Sequence, residues 1–424
     1  MNKTFYSFSF GCRVNEAEKE EFDRQMLKAG FKYSVSNPSI YIINTCSVTH
    51  KAEREAKQHI YQVRRKFPAS KIVVTGCSAT YWKKNDLALN LPVDETFDNL
   101  QKDYLVQLLL KRQQQENRQS IKNPTSKFLD SGRLLLKIQD GCQRFCSFCV
   151  VPYLRGKPKS YSTKNLVSGI QKKEKHIKEV ILTAINTEAF GYDTGETFIN
   201  LIQKIINETR VQRISFGSIH PWSINRDFLK FYEKILPTKR LVNFFHIPIQ
   251  SGSDKMLRLM KRGYTRDEMM DKLIAIKRIN DFAFIGTDVI VGFLDETEKD
   301  FEETYSFLDK APINKFHIFR FSKRQNTAAY YLSKRLYEAP NHVKQARAKK
   351  LTELGAKKYQ QFLQRHINTT FDGMFLKYKT DSYQKVLLSN QVPVYIKTSK
   401  LHCSEIKKIK ITEYKNGELF GKIV

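Results

Sequence analysis

Tyr6, Phe8 and Phe10 alternate with polar neighbours, the period of a strand with one buried face. Gly11-Cys12 follows, and from about Asn15 to Ala29 the apolar positions take the helical spacing. Ile40 to Ile43 is a short apolar run, followed by Cys46 and a charged helical stretch from about Thr49 to Phe67. Lys71 to Val74 is a β-branched run that leads into Gly76-Cys77. The first ~125 residues thus read as repeated strand–helix units. Arg112 to Lys127 is polar, aperiodic and carries Pro124, so it reads as a linker.

A second series begins at Leu134. Its strand candidates are Leu134–Gln139, Glu179–Thr183, Arg213–Gly217, Phe244–Ile249, Phe284–Val291 and Lys315–Phe321, with helical patterns between them. Six units fall short of a closed eight-stranded barrel and suit an open six-unit parallel barrel. His342 to His366 is a long basic helix carrying Lys344, Arg347, Lys349, Lys350, Lys357, Lys358 and Arg365 against Glu353. It either adds to a basic surface or is a solvated charged face. Beyond it lie short strands at Phe371–Tyr378, Lys385–Ser389, Val392–Thr398, Glu405–Thr412 and Leu419–Val424, with Asn416-Gly417 as a turn, so a small β-barrel is expected. The expected organisation is an α/β chain: an N-terminal parallel α/β domain at 1–111, a linker at 112–127, the open barrel at 128–366 and the small β-barrel at 367–424.

Charge narrows the partners. The 424 residues hold 73 Lys+Arg against 43 Asp+Glu, a net +30. Such an excess suits a polyanion such as nucleic acid, or reflects lysine over-use by an AT-rich genome. From Asn368 onward 10 Lys face 5 Asp+Glu. No run of 18 apolar residues exists, which excludes a spanning helix, and the N-terminus makes a poor signal peptide. The expected location is cytoplasmic, without a membrane.

Seven cysteines in a reducing compartment point to metal binding or catalysis before disulfides. Cys12, Cys46 and Cys77 each follow a predicted strand, with gaps of 34 and 31 residues, about one βα unit each. Right-handed crossovers bring the C-terminal ends of parallel strands to one edge, so these three converge there. The alternative is three unrelated buried thiols. Cys403 reads as a small buried hydrophobe.

Cys142, Cys146 and Cys149 form a CxxxCxxC just past a strand. Thiolates are the usual ligands of iron–sulfur clusters. Three of them hold a 4Fe–4S cluster with one iron open, and an open iron can chelate S-adenosylmethionine for radical chemistry. A helical core stripe at i, i+4, i+7 or a zinc site are the competing readings, although zinc lacks a local fourth ligand. Ser218, Gln250 and Asp288 end or follow strands and could face a ligand at the barrel mouth, or be plain loop residues. His220 and His246 read as satisfied core histidines and are not assigned as acids or bases.

The CxxxCxxC with six βα units resembles the radical S-adenosylmethionine superfamily. More narrowly, the chain is similar to the methylthiotransferases over nearly its whole length. Phe10-Gly11-Cys12-Arg13-Val14-Asn15, Ile43-Asn44-Thr45-Cys46-Ser47-Val48-Thr49 and Thr75-Gly76-Cys77 carry the N-terminal motifs. Ile138 through Cys142, Cys149 through Tyr153 and Arg155-Gly156 carry the radical motif. His246 through Ser253 and Gly286 through Phe293 carry two barrel motifs.

The resemblance implies two 4Fe–4S clusters. Cys142, Cys146 and Cys149 would hold the radical-generating one, and Cys12, Cys46 and Cys77 a second that carries the sulfur. S-adenosylmethionine would serve as methyl donor and radical source. Phe148 would touch its adenine, and Asn186 lies where the superfamily holds the methionyl amino group. The small barrel resembles a TRAM domain, which binds RNA, with Tyr395 and Tyr414 as stacking candidates or core residues.

Ser47-Val48-Thr49-His50-Lys51-Ala52 after Cys46 resembles the branch acting on N6-threonylcarbamoyladenosine next to the tRNA anticodon. The alternatives are isopentenyladenosine in tRNA, a ribosomal-protein aspartate, or a non-catalytic iron–sulfur RNA-binding regulator. The implied partners are a tRNA anticodon stem-loop and a low-potential ferredoxin or flavodoxin, while nothing in the sequence names a sulfur donor. The chain departs from the family pattern at Ser78-Ala79-Thr80, Asp98, Leu294-Asp295, Arg320-Phe321 and Asn326, where Asp98, Asp295 and Asn326 stand at usual glycines.

Overall fold

A computed structural model describes residues 3–111, 131–380 and 382–424. The linker expected at 112–127 lies outside the described residues. The chain forms two compact units. The first draws its described residues from Met1–Ser126, Asp140–Pro158 and Arg324–Thr327, and the second from Lys127–Gln139, Lys159–Lys323 and Ala328–Val424.

The first unit is built on a five-stranded parallel sheet in the order Lys32–Tyr33, Thr4–Ser9, Ile40–Thr45, Lys71–Gly76, Glu95–Thr96. Every residue of Ile40–Thr45 is buried, as in a strand covered on both faces. Ile42 and Val73 pack with Phe22 and Met26 of helix Arg13–Lys28, while Tyr41, Ile43 and Val74 pack with Ile60 and Val63 of helix His50–Lys66. The second helix starts where Thr49 Oγ1 accepts the Ala52 N–H at 3.1 Å, satisfying one of the free first-turn donors. The two short edge strands had no legible pattern.

The second unit carries the six expected parallel strands, at Arg133–Asp140, Glu179–Ala184, Arg213–Phe216, Phe244–His246, Phe284–Val291 and Lys315–Arg320. They form a four-stranded sheet, with Lys159–Ser160 as an added edge, and a three-stranded one. Ile214 links the two, donating to Arg240 O at 2.7 Å and accepting from Val242 N at 2.8 Å. Residues 244–249 stop being a strand at His246, because Pro248 offers no N–H. Pairing resumes at Gln250, which bridges Val289. One large core unites the strands with their helices. Helices Arg266–Ile279 and Glu298–Lys310 open on complete capping boxes, Thr265 with Glu268 and Thr297 with Asp300.

The last five strands, Thr370–Lys379, Tyr383–Leu388, Pro393–Lys397, Ile406–Lys415 and Glu418–Ile423, close into a barrel. Its core runs into Phe244 and Phe284 of the parallel sheet, whose rings stack at 5.0 Å. At the same seam the buried Glu179 accepts from Arg133 (3.2 Å), Ser215 (2.6 Å) and Gln391 (2.7 Å). Arg213 donates to the carbonyls of Leu387 and Leu388, both at 2.9 Å.

Two expectations need correction. Cys403 is exposed, not buried, because it sits in the irregular segment before Ile406. Helix Asn341–Gln364 is not a uniform basic face. Lys344 is buried against Glu338 (2.6 Å), and Arg347 is buried against Glu296 (2.7 Å) and Glu298 (3.0 Å).

Candidate active site

In the first unit the three early cysteines sit where the topology requires. Cys12 caps helix Arg13–Lys28, Cys46 follows the strand ending at Thr45, and Cys77 opens helix Cys77–Lys84. Their strands are neighbours, with Ser9 opposite Asn44 and Thr45 opposite Gly76. The convergence is tight. A Cβ on Gly11 would lie 2.5 Å from both Cβ and Sγ of Cys46, and Gly11 holds φ +90. Only glycine fits there. Cys46 is buried, and burial, with Cys77 and Cys12 adding, pushes its thiol up to about 12. A metal that takes this sulfur must displace its proton.

The CxxxCxxC segment belongs to the same unit and is a loop, not a helix, so the helical-stripe reading falls. Gly141 (φ +73) and Phe145 (φ +45) take left-handed conformations, and a Cβ on Gly141 would meet Lys157 O at 2.1 Å. Cys142 N donates to Gly156 O at 3.1 Å and Cys149 N to Cys146 O at 2.9 Å, which folds the loop around its cysteines. Cys146 is buried, while Cys142, Phe148 and Cys149 are half-buried. Among the described residues the group of three metal-ligating side chains with ligand atoms within 4.8 Å is His246, Asp288 and His317.

Between the two cysteine motifs lies a buried polar network that sequence reasoning missed. Arg155 Nη1 donates to Glu18 (3.0 Å) and to both oxygens of Asp140 (2.8 and 3.0 Å). Its Nη2 donates to Asn15 Oδ1 (2.7 Å), and its Nε to Cys77 Sγ (3.3 Å). Lys102 pairs with Glu18 at 2.6 Å, and Asn99 donates to Leu154 O (3.0 Å) and Cys77 Sγ (3.7 Å). The only signal was the position of Asn15 and Arg155 within motifs. The segment after Cys46 is held similarly: Arg324 donates to Ser47 (2.6 Å) and Glu53 (2.6 Å) and bonds His50 at 2.9 Å.

In the second unit Ser218 and Asp288 come together through a histidine that the sequence left ambiguous. Ser218 Oγ lies 2.9 Å from His246 Nδ1, and His246 Nε2 lies 3.0 Å from Asp288 Oδ1. His317 on the adjoining strand reaches the same oxygen at 3.3 Å. Burial would raise the Asp288 carboxyl, but the hydrogen bonds from His246 and His317 outweigh it and hold the group well below the usual range. Gln250 is beside them, its N–H bonded to Asp288 O at 2.8 Å, in a left-handed conformation (φ +79) that non-glycine residues rarely adopt. Asn186 is buried. Its Oδ1 caps the turn at Glu188 N (3.2 Å), and its own N–H meets Gln139 Oε1 (3.0 Å). His220 bonds Thr187.

Comparison with known proteins accounts for this chemistry. Residues 136–308 match the Radical SAM superfamily, and residues 4–97 match the uncharacterized protein family UPF0004. The threonylcarbamoyladenosine tRNA methylthiotransferase MtaB of Aquifex aeolicus is 34% identical, with 84% of this chain and 89% of that protein covered. The protein of the same name in Bacillus subtilis is 30% identical, with 89% of each chain covered. A tRNA-2-methylthio-N(6)-dimethylallyladenosine synthase of Natranaerobius thermophilus is 28% identical over 99% of this chain and 97% of its own. The solved radical S-adenosylmethionine methyltransferase TsrM of Kitasatospora setae aligns with a TM-score of 0.54 at 11% identity, over 76% of this chain and 75% of that one, a likeness of fold. The motifs, the strand order and this degree of identity over most of the chain agree, and the protein belongs to the radical S-adenosylmethionine methylthiotransferase family of enzymes.

Proposed function

We propose that this enzyme converts N6-threonylcarbamoyladenosine next to the tRNA anticodon into its 2-methylthio derivative. The observation that carries the reading is the presence, in one compact unit, of two separate three-cysteine sets joined by a buried ionic network. The residues fit iron–sulfur clusters: the early thiols converge at one sheet edge, one of them buried at 3% exposure with no room for a side chain at Gly11, and each set offers three thiols. Cys142, Cys146 and Cys149 would hold one 4Fe–4S cluster and Cys12, Cys46 and Cys77 the other. When bound, the first supplies reductive cleavage of S-adenosylmethionine and the second a sulfur for transfer to adenine C2.

The chain's own part is placement. We read the six parallel strands as the open radical-SAM barrel, with Ser218 and Gln250 past strand ends and Asp288, against expectation, within strand Phe284–Val291 where it pairs with His317, all three directed to S-adenosylmethionine. His246 fixes both Ser218 and Asp288. Phe148 would cover the adenine, and Asn186 would present backbone groups from its capped turn. The closing five-stranded barrel is read as TRAM-like. Lys377, Lys397, Lys400, Lys410, Lys415 and Lys422 are exposed on it, suited to phosphates. Tyr395 and Tyr414 are half-buried, with Tyr395 against Phe420, whereas Tyr378 is 62% exposed and is the better stacking candidate. Among the described residues no helix is long and apolar enough to cross a membrane. A cytoplasmic site of action, with a low-potential ferredoxin or flavodoxin as electron donor, completes the reading.

The test is mass spectrometry of tRNA nucleosides from a host that makes N6-threonylcarbamoyladenosine but lacks its methylthiolation, with and without this protein. Appearance of the 2-methylthio form is expected. Appearance of 2-methylthio-isopentenyladenosine instead would favour the second reading, which the dimethylallyladenosine synthase relatives support. Cys142→Ala should abolish release of 5′-deoxyadenosine from S-adenosylmethionine. Cys46→Ala should spare that release and block sulfur insertion.

A further inference from the structure

Arg155 occupies an unusual position even for a buried arginine. Its side chain is 1% exposed, and its three nitrogens reach four residues from different parts of the chain. Glu18 has a second cation of its own in Lys102, at 2.6 Å, and Asp140 is taken by Arg155 in a two-oxygen contact. The two cations and two carboxylates balance, so this arrangement would satisfy a purely structural ionic knot. The Nε–H is left over from that balance, and it points at a sulfur: Cys77 Sγ, 3.3 Å away. Asp140, on the other side of the guanidinium, accepts the N–H of Gly141, directly before Cys142. One side chain therefore touches a cysteine of the first set and the residue that anchors the loop of the second.

We propose that Arg155 is a positioning residue that sets the electronic state of the cluster held by Cys12, Cys46 and Cys77, through its Nε–H bond to Cys77 and its buried charge. The proposal rests on the two-cluster reading. A cluster gains negative charge on reduction. An N–H directed at a ligand sulfur and a permanently charged guanidinium both stabilise the reduced form and raise the reduction potential. Low dielectric around the group strengthens both effects. Lysine would keep the charge without a planar fork able to serve Glu18, Asp140 and Asn15 while also reaching the sulfur. The same guanidinium ties Asp140 to Glu18, so the loop bearing Cys142 is held in register with the edge bearing Cys77.

The experiment uses the full chain with Cys142, Cys146 and Cys149 replaced by alanine, so that a single cluster remains. After anaerobic reconstitution, iron and sulfide are counted and the potential is followed by EPR during a dithionite titration. Arg155→Gln should retain its iron and move the potential to more negative values. Arg155→Lys should fall between. Glu18→Gln, which removes a neighbouring negative charge without touching Cys77, should move it the opposite way. A merely structural role predicts no such opposition: both substitutions would leave the potential of the remaining cluster unchanged, and that result overturns the proposal. If Arg155→Gln loses its cluster, the signs of the Arg155→Lys and Glu18→Gln shifts decide. If the triple-alanine parent binds no iron at all, the two-cluster reading itself fails and the proposal falls with it.

Discussion

Among the positions where the family pattern carries glycine, Asp295 and Asn326 keep the backbone that glycine would have allowed, at φ +59 and +64. Aspartate and asparagine tolerate the left-handed region better than other side-chain-bearing residues, so the departure in sequence is not one in conformation. Gly11 has no such latitude. Gly11→Ala would drive a methyl group into Cys46; on the two-cluster proposal, iron measured after reconstitution is expected to fall from about eight to about four per chain. At the other site, Asp288→Asn keeps the shape of the Ser218–His246–Asp288–His317 chain but removes its charge. On the proposal that Asp288 faces S-adenosylmethionine, its binding should weaken by about tenfold, the worth of one charge-assisted hydrogen bond, as read by equilibrium dialysis. The cysteines were legible because their spacing repeats a βα unit. Arg155, His246 and His317 were not, because what singles them out is a partner far away in the chain.

At the scale of elements, strands were readable wherever burial was two-sided and β-branched, as at Ile40–Thr45 and Phe284–Val291. The two-residue edge strands were not, since their pairing depends on backbone neighbours and carries no side-chain period. The helix Asn341–Gln364 shows the same limit. Composition marks every lysine and arginine alike, but the fold sends Lys344 and Arg347 inward and leaves Lys349 and Lys357 outside. Arg347→Ala should destabilise the enzyme by about 3–5 kcal/mol in chemical denaturation, because it strands the buried Glu296. The double substitution Lys349→Ala with Lys357→Ala should leave stability within about 0.5 kcal/mol. If this face meets tRNA phosphates, it should also lower the salt dependence of tRNA affinity by about two counterions.

At the scale of the whole molecule, the seam between the parallel sheet and the five-stranded barrel governs response to acid. Burial pushes the Glu179 carboxyl up, but Arg133, Arg213 and Ser215 outweigh it and bring it from 4.5 down to about 2. His366, buried beside Asn390 at 2.9 Å, is lowered from 6.5 to about 4 mainly by burial. Both folded values lie below the unfolded ones, so both contributions are complete above pH 6.5. That of His366 is lost as pH falls from 6.5 toward 4, and that of Glu179 from 4.5 toward 2. Each is worth on the order of 3 kcal/mol. Thermal unfolding should therefore come at lower temperature from pH 7 to 4.5, and His366→Gln should flatten that slope. Removal of residues 368–424 should leave Phe244, Phe284 and the Glu179 cluster uncovered, and the remainder should be recovered as aggregate.

The first unit is finished by residues made late. Arg324 holds Ser47, His50 and Glu53, yet it is translated more than two hundred residues after the sheet they belong to. At ordinary elongation rates the ribosome needs roughly 10–40 s to travel from residue 111 to residue 324. A sheet formed in that interval would carry Cys12, Cys46 and Cys77 before its closing arginine exists, with Asp140–Pro158 made partway through. If the sheet forms on the nascent chain, chain connectivity orders its maturation in time: the edge with the early thiols can gain the Arg324 brace only after about three quarters of these 424 residues have been made.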